Sequence, residues 1–261
     1  MKRVAMFVAM LFVCAGAFAD ADIDLYNAIK VKNLNKVQDA LRLNANPNQH
    51  IANLEESIFN WAIENMASKA FVETMIYDSH VKVELNGSDR DFPVLFYAVK
   101  AGRKDLIKIL VKAGAEPNID YYGQTPLIYA TNLKKAVALN DFITECSFDP
   151  EKEIDLNLKD RKNNSALYYA LKNKDFPSIK VLLKQGADIT NIDEDGNDAI
   201  CYAVKEKLNA DIVDELLEHY DGDFTKLVYR SAGKYKNKNP IEIMRDNKTE
   251  RMYEDIFNNH Q

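Results

Sequence analysis

The chain has 261 residues, of which 47% are hydrophobic and 28% charged, a composition typical of a globular protein rather than a disordered one. Its formal net charge of -6 and pI near 5.4 argue against a nucleic-acid binder, which needs a basic stripe. Seven prolines and nine glycines are too few for a linker-rich or fibrous chain.

Residues 1–19 are predicted to be a secretory signal peptide. Basic residues at positions 2 and 3 precede the apolar run "VAMFVAMLFV", and Ala17 and Ala19 then form an A-x-A cleavage pattern. An uncleaved membrane anchor is the alternative, but the apolar run is short for a membrane span. Cleavage after Ala19 removes the two basic residues and takes the net charge from -6 to -8.

A helix–turn–helix pattern recurs through the rest of the chain. Segments 90–118 and 163–190 both contain two helical patterns, a glycine turn and an extended end. Aligning the small residue of the first helix gives spacings of 32 to 41 residues. The aligned positions are Ala28, Ala62, Ala98, Ala130, Ala170, Ala203 and, in a degenerate seventh copy, Met244. A period of about 33 residues with loop insertions indicates a repeat protein.

The motifs of these copies resemble those of ankyrin repeats. The stretch "TPLIYA", residues 125–130, resembles the Thr-Pro-Leu-His-x-Ala motif with Ile128 for His, and weaker copies lie at 93–98, 165–170 and 198–203. Residues 114–118 and 186–190 resemble the closing Gly-Ala-Asp-x-Asn. The resemblance covers residues 22–258 and implies an all-α solenoid of stacked helix-turn-helix pairs with short β-hairpin loops, about seven repeats including degenerate caps. The predicted repeats cover 22–49, 50–88, 89–119, 120–159, 160–192, 193–233 and 234–258, within one domain over 20–261.

Local signals agree with this fold. Thr125 can cap its helix while Pro126 occupies the first helical position. Gly114 and Gly186 stand where a helix needs a left-handed C-terminal residue, and Asn44 replaces that glycine in the first copy. Insertions are expected around "CSFDPEKEIDLNL" and "HYDGDFTKLVYRSAG".

No enzyme signature occurs in the sequence, and we expect no catalytic residue, cofactor or metal. His50, His80, His219 and His260 are far apart in the sequence, and none has a ligand-spaced partner. The segment "NIDEDGND", residues 191–198, resembles the start of a calcium loop, but Tyr202 stands where the bidentate Glu belongs. A hairpin turn is the favoured interpretation of this segment.

The two cysteines after the signal peptide, Cys146 and Cys201, fall two copies apart. Helices that pack side by side lie about 8–10 Å apart, so a separation of about 20 Å is expected, too far for a disulfide. We therefore predict two free thiols.

One aromatic residue precedes the small residue in most copies. The series is Trp61, Tyr97, Tyr129, Tyr169 and Tyr202. Its recurrence predicts a ladder of rings packed between first helices, and the alternative is that the tyrosine hydroxyls line a groove.

The resemblance implies that a partner binds at the hairpin tips and on the exposed face of the first helices. Carried over copy by copy, it predicts twelve partner-binding residues. They are Arg90, Lys100, Tyr121, Tyr122, Gln124, Asn132, Arg161, Lys162, Asn164, Lys172, Glu194 and Asp195. Tyr121 and Tyr122 form the predicted centre of this surface, because exposed Tyr and Arg dominate interface energetics.

The sequence thus predicts an exported, non-enzymatic protein that captures a partner protein on its concave face. The hypotheses are a periplasmic immunity or inhibitor protein against a toxin enzyme, a periplasmic scaffold for an envelope or oxidative-stress enzyme, and a secreted effector that binds host proteins. We expect the bacterial periplasm as the location, no nucleic-acid partner, no stable membrane insertion after signal cleavage, and a monomer when free. The acidic charge suits a basic partner.

Overall fold

The computed structural model describes residues 20–51, 54–147, 152–190 and 192–260. The predicted signal peptide, residues 1–19, lies outside these ranges. Two compact units divide the chain, one up to Glu116 and one from Pro117 onward. No helix among the described residues is long and apolar enough to cross a membrane.

Fourteen α-helices in the described residues form seven successive pairs, one pair in each predicted copy. The first unit contains α1 (20–30), α2 (Leu34–Arg42), α3 (Ile58–Glu64), α4 (Lys69–Tyr77), α5 (Val94–Lys100) and α6 (Lys104–Lys112). The second contains α7 (Pro126–Asn132), α8 (Ala136–Cys146), α9 (Ala166–Lys172), α10 (Phe176–Lys184), α11 (Ala199–Lys205), α12 (Ala210–Glu218), α13 (Pro240–Asn247) and α14 (Glu250–Asn259). The predicted all-α fold class is confirmed.

Within each unit, helices of the same rank in successive copies pack on one another. In the first unit α3 packs on α5, α2 on α4, and α4 on α6. In the second unit α7, α9, α11 and α13 pack in succession, and so do α8, α10, α12 and α14. The six aligned alanines are almost fully buried, with exposed fractions of 2% or less. A small residue at this position lets neighbouring first helices approach closely, and a larger one would push them apart.

The turn between the two helices of a copy depends on a residue in the left-handed region. In the fifth copy Lys174 has φ 53°, and the next residue, Asp175, donates its backbone N–H to the carbonyl of Ala170 at 3.0 Å. The sixth copy repeats this bond, from Leu208 to Ala203 at 2.9 Å. This is the Schellman arrangement, which satisfies carbonyls that the helix end would otherwise leave without a partner.

The second helices of three copies end in the same way, at the residues that the sequence predicted. Gly114 and Gly186 have φ values of 113° and 90°, and Asn44 has 65°. The residue after each donates its N–H back to the helix, as Ala187 does to Leu182 at 3.0 Å. The prediction of left-handed turn residues at these three positions is confirmed.

Side-chain caps begin several of the first helices. The Thr125 hydroxyl accepts the Ile128 N–H at 3.2 Å, and Pro126 occupies the first turn, so this predicted cap is confirmed. Ser57, Ser165 and Asp198 cap α3, α9 and α11 in the same way. Such a cap stabilises a helix by about 1 kcal/mol, which matters for helices of seven residues.

Asparagine amides connect the end of one copy to the next. Asn118 donates to the carbonyl of Glu153 at 2.7 Å and accepts the Asp155 N–H at 2.9 Å. In the first unit, Asn86 makes the equivalent pair with Gly114 and Glu116, at 3.0 and 2.8 Å. Asn48 repeats it with Lys82 and Glu84. A side chain that both donates and accepts can replace one step of a β ladder, so these amides set the register between copies.

The insertion in the sixth copy is folded against its neighbours. Asn197 accepts the N–H groups of Arg230 and Ser231 and donates to the Ser231 hydroxyl. Phe224 lies in a short 3-10 helix and packs edge to face on Phe257 of α14, with ring centroids 5.0 Å apart. The insertion therefore joins the sixth copy to the seventh. Of the fourth-copy insertion, residues 148–151 lie outside the described ranges.

Cys146 and Cys201 are both free, as the spacing predicted, and both are buried. Burial raises the pKa of the Cys146 thiol to about 12 and also raises that of Cys201. Both thiols therefore stay protonated near neutral pH and pack as small apolar groups.

We expect Gly186→Ala to lower the free energy of unfolding by about 1–2 kcal/mol, because a Cβ is strained at positive φ. The surrounding space is open, so the effect comes from the backbone alone. Gln185→Ala is the matched control, since Gln185 is exposed and has a helical backbone. Urea unfolding followed by circular dichroism gives the free energy of unfolding of both variants. An equal decrease in the two variants would show that the effect does not come from the left-handed backbone at Gly186.

We expect Asn118→Ala to lower the free energy of unfolding by about 1–2 kcal/mol, because two hydrogen bonds between successive turns are lost. Asn258→Ala, at an exposed position of α14, should leave it within about 0.5 kcal/mol of the wild type. Equal stability of the two variants in chemical denaturation would show that the Asn118 side-chain amide does not connect the copies.

Candidate partner-binding surface

The hairpin tip of the fourth copy is a tight turn that presents Tyr122. The backbones of Tyr121 and Gln124 exchange two hydrogen bonds, at 3.0 and 3.1 Å. Tyr122 and Gly123 have φ values of 51° and 83°, the two positive values of a type I′ turn. The Asp120 carboxylate accepts the Gly123 N–H at 2.6 Å. The turn holds the Tyr122 side chain outward, with 64% of its surface exposed.

The tip of the fifth copy is built around one carboxylate. Asp160 accepts the N–H groups of Lys162 and Asn164, both at 2.9 Å. Arg161, Lys162 and Asn163 are exposed on this turn. Asn164 is only 7% exposed, so its prediction as an accessible partner-binding residue is wrong. It lies at the base of the turn, where its backbone carbonyl accepts the Asp160 N–H.

The two tips contact each other. The Arg161 guanidinium lies 5.8 Å from the centroid of the Tyr122 ring, and this ring meets Tyr121 edge to face at 4.6 Å. A Cβ on Gly123 would lie 2.3 Å from Cγ of Arg161, so a larger residue there would force the Arg161 side chain to move. We call Tyr121, Tyr122 and Arg161 the tip cluster. A cation–π contact at an exposed site contributes about 0.5–1 kcal/mol, enough to favour one orientation of Arg161.

The tip of the sixth copy carries the opposite charge. Glu194 and Asp195 are exposed there. Asp193 accepts N–H groups from Asp195 and Asn197, at 3.1 and 3.0 Å, and its second oxygen accepts from the Asn197 amide at 2.8 Å. The Asp193 carboxylate therefore stabilises the hairpin, which favours the interpretation as a hairpin turn and not as a calcium loop. Residue 191 of this segment lies outside the described ranges.

Asn197 lies beneath this tip rather than on it. Its side chain is fully buried, with an exposed fraction of 0%. The amide is fully used by Asp193, Arg230 and Ser231. It supports the turn and the insertion and is not accessible to a partner.

Lys172 and Asn132 lie at the ends of the first helices, both exposed. The Lys172 ammonium is 5.7 Å from the centroid of Tyr168, and Asn132 accepts a weak hydrogen bond from the Asn173 amide at 3.5 Å. Gln124 is half-buried at the base of its hairpin. These three residues belong to the second unit, as do the tips of the fourth, fifth and sixth copies.

The aromatic series lies at the edge of the core. Its five members are all half-buried, between the core position and the groove position that the sequence left open. Tyr168, which the alignment passes over, meets both Tyr169 and Tyr202 edge to face with centroids 5.4 Å away. The Tyr169 hydroxyl donates to Asp160, and burial together with this carboxylate raises the pKa of Tyr169 to about 12. The ring system thus braces the tip of the fifth copy.

Arg90 and Lys100 belong to the first unit. Arg90 is exposed, and its backbone N–H donates to the Ser88 hydroxyl at 3.3 Å. The Lys100 ammonium is 2.5 Å from the carboxylate of Glu64, at the end of the preceding first helix. Lys100 therefore joins two copies as well as being exposed.

Three histidines have acidic neighbours that the sequence spacing did not reveal. His50 and His260 lie 3.0 Å from Asp91 and Asp214, respectively. His219 lies with Glu215 and Glu218 in a group whose ligand atoms are within 4.8 Å of one another. Glu215 is already paired with Lys180 at 2.9 Å, so this exposed group is a surface ion network.

Comparison with known proteins identifies the repeats. The family profile described as ankyrin repeats (3 copies) matches residues 59–140 and 136–226. An ankyrin repeat protein of Rickettsia felis is 30% identical over 116 residues, covering 44% of this chain and 36% of that protein. One from fowlpox virus is 27% identical over 183 residues, covering 64% of this chain and 29% of that protein. The chain thus spans about a third of the length of these relatives.

The fold also matches a solved structure. The crystal structure of the ankyrin repeat domain of Bcl-3 superimposes with a TM-score of 0.54 at 19% sequence identity, covering 90% of this chain and 85% of that one. The mouse B-cell lymphoma 3 protein homolog is 28% identical over 140 residues, or 53% of this chain and 30% of that protein. These likenesses support the fold, and the repeats indicate a protein-binding scaffold.

We expect Gly123→Ala to displace Arg161 from the Tyr122 ring, because the new Cβ would overlap Cγ of the arginine. The side-chain NMR signals of Arg161 should move toward random-coil positions. Gly186→Ala, which adds a methyl at a positive-φ site with open space in the same unit, should leave them unchanged. Unaltered Arg161 signals in Gly123→Ala would contradict the packed tip cluster.

Proposed function

Since the chain belongs to the ankyrin-repeat family, we propose that it captures a partner protein with the tip cluster at the centre of the interface. The observation that supports this is the contact between two neighbouring tips, which joins exposed Tyr122 to Arg161. Tyr and Arg are the residue types that contribute most to binding energy at interfaces. Because the turns and the ring contacts already restrict these side chains, little rotamer entropy is lost on binding.

Charged residues beside the tip cluster provide the polar rim. Lys162 lies beside Arg161 on the fifth tip, and Glu194 and Asp195 are exposed on the sixth. Rim charges change association rates and specificity more than they change affinity. We propose that this succession of aromatic, basic and acidic tips selects one partner, with Lys172 and Asn132 as additional contacts from the first helices.

We further propose that the protein acts in the bacterial periplasm as an immunity or inhibitor protein that blocks a toxin enzyme by covering its surface. The predicted signal peptide, residues 1–19, supports export, and the absence of catalytic motifs supports steric action. A periplasmic scaffold for an envelope or oxidative-stress enzyme and a secreted effector are the alternatives. Cell fractionation separates the effector from the other two. Adding the pure protein to the captured enzyme separates the inhibitor from the scaffold, because only an inhibitor abolishes activity.

We expect Tyr122→Ala combined with Arg161→Ala to weaken capture by at least about 30-fold, because the loss of even one centre residue of an interface costs about 2 kcal/mol or more. The assay is affinity capture from a periplasmic extract with the tagged chain lacking residues 1–19, followed by titration of the recovered protein. The matched control is Tyr77→Ala with Arg251→Ala, an exposed tyrosine and an exposed arginine elsewhere.

Both double variants should keep the wild-type helical circular dichroism and melting temperature. Retained affinity in the Tyr122/Arg161 variant, or an equal loss in the Tyr77/Arg251 variant, would remove the tip cluster from the centre of the interface.

A further inference from the structure

The left-handed residue that follows the first helix of each copy is lysine in five of the seven copies. The seven residues are Lys32, Met66, Gly102, Lys134, Lys174, Lys207 and Lys248, with φ values between 53° and 66°. Glycine adopts this conformation at the least cost, and lysine carries a Cβ that is strained there. Of the seven positions, only position 102 has glycine, the residue with the lowest conformational cost. Strained backbone that recurs at one position is a reason to look for a function of the side chain.

Four of these lysines lie in consecutive copies of the second unit. Lys134, Lys174, Lys207 and Lys248 follow α7, α9, α11 and α13, and these helices pack on one another in that order. Helices in contact lie about 8–10 Å apart, so one lysine recurs about every 10 Å. All four side chains are exposed. We call this row the lysine edge.

The lysine edge carries little compensating charge. Within the described part of the second unit, no ion pair with an acidic side chain engages Lys174, Lys207 or Lys248, and Lys134 contacts only the carbonyl of Asn173, at 3.4 Å. A second basic residue lies within three positions of each one. Segments 132–135, 172–175, 205–208 and 245–248 hold eight basic residues and three acidic ones, whereas the whole chain has 34 basic and 40 acidic residues. The lysine edge is therefore locally positive, whereas the net charge of the chain is negative.

We propose that the lysine edge binds an acidic segment of a protein, rich in aspartate or glutamate. A peptide in the polyproline II conformation rises about 3.1 Å per residue with three residues per turn, so acidic residues at every third position share one face and recur about every 9 Å, close to the spacing of the lysines. A nucleic acid or an anionic membrane has a much denser negative charge, which the acidic remainder of the chain repels. The narrow row therefore fits an acidic peptide better than either of them.

The lysine edge is separate from the tip cluster. The tips precede the first helices and the lysines follow them, and a first helix of seven residues is about 10 Å long. An acidic segment could thus lie along one end of the first helices while another surface occupies the tips. The proposal does not depend on the tip cluster being a binding site.

The test uses the chain without residues 1–19 and a fluorescein-labelled peptide with glutamate at every third position. Fluorescence anisotropy should show binding that weakens as salt is added. We expect the triple variant K174G/K207G/K248G to bind about tenfold more weakly. Because glycine is unstrained at positive φ, its melting temperature should not fall. K174R/K207R/K248R keeps the charges and should bind like the wild type.

The matched control is K184Q/K226Q/K236Q, which removes three exposed lysines outside the edge and should bind like the wild type. Tyr122→Ala with Arg161→Ala should also retain peptide binding, so failure of the tip cluster and failure of the lysine edge are distinguishable. Unweakened binding by the glycine variant, an equal loss in the control, no binding by the wild type, or preference for single-stranded DNA or phosphatidylglycerol vesicles would overturn the proposal.

Discussion

The burial of one small residue between successive first helices is the contact on which the rest of the structure depends. A pair of helices of seven and nine residues cannot bury enough apolar surface alone, so each copy is stable only against its neighbours. The aligned alanines allow this close approach, and their carbonyls also accept the turn bond at positions such as Ala170 and Ala203. One residue per copy thus serves both the packing of helices and the turn that reverses the chain.

This constraint explains where the structure is free to vary. The helix packing and the turn bonds follow one pattern, but the hairpin tips before the first helices lie outside the helix packing. The fourth tip carries Tyr121 and Tyr122, the fifth carries Arg161 and Lys162, and the sixth carries Glu194. Since the tips are held by their own turns and by carboxylates such as Asp160, their exposed residues can change without disturbing the core. Binding residues and folding residues are therefore largely distinct.

The sequence predicted the features that a short stretch determines by itself. The Thr125 cap, the left-handed Gly114 and Gly186, and the buried alanines follow from local motifs repeated along the chain. Features that need two copies could not be predicted. The contact between Tyr122 and Arg161 joins residues of two tips, and the role of Tyr168 depends on rings from two first helices.

The errors have the same origin. Asn164 looks like an exposed turn residue, but it lies at the base of its tip, and the sequence does not show which side a turn residue faces. The sequence does not predict the left-handed lysines, because positive φ is expected from glycine and asparagine and not from lysine. The charge of the whole chain suggested a basic partner, yet the lysine edge shows that net charge does not describe each surface.

Site-directed photo-crosslinking tests most directly whether the tips form the interface. A benzophenone amino acid would replace Tyr122 on the fourth tip or, in a second protein, the exposed Thr144 on α8. Irradiation in living cells should join the partner to the chain at position 122 and not at position 144. Equal crosslinking at both positions, or crosslinking at 144 alone, would contradict the account.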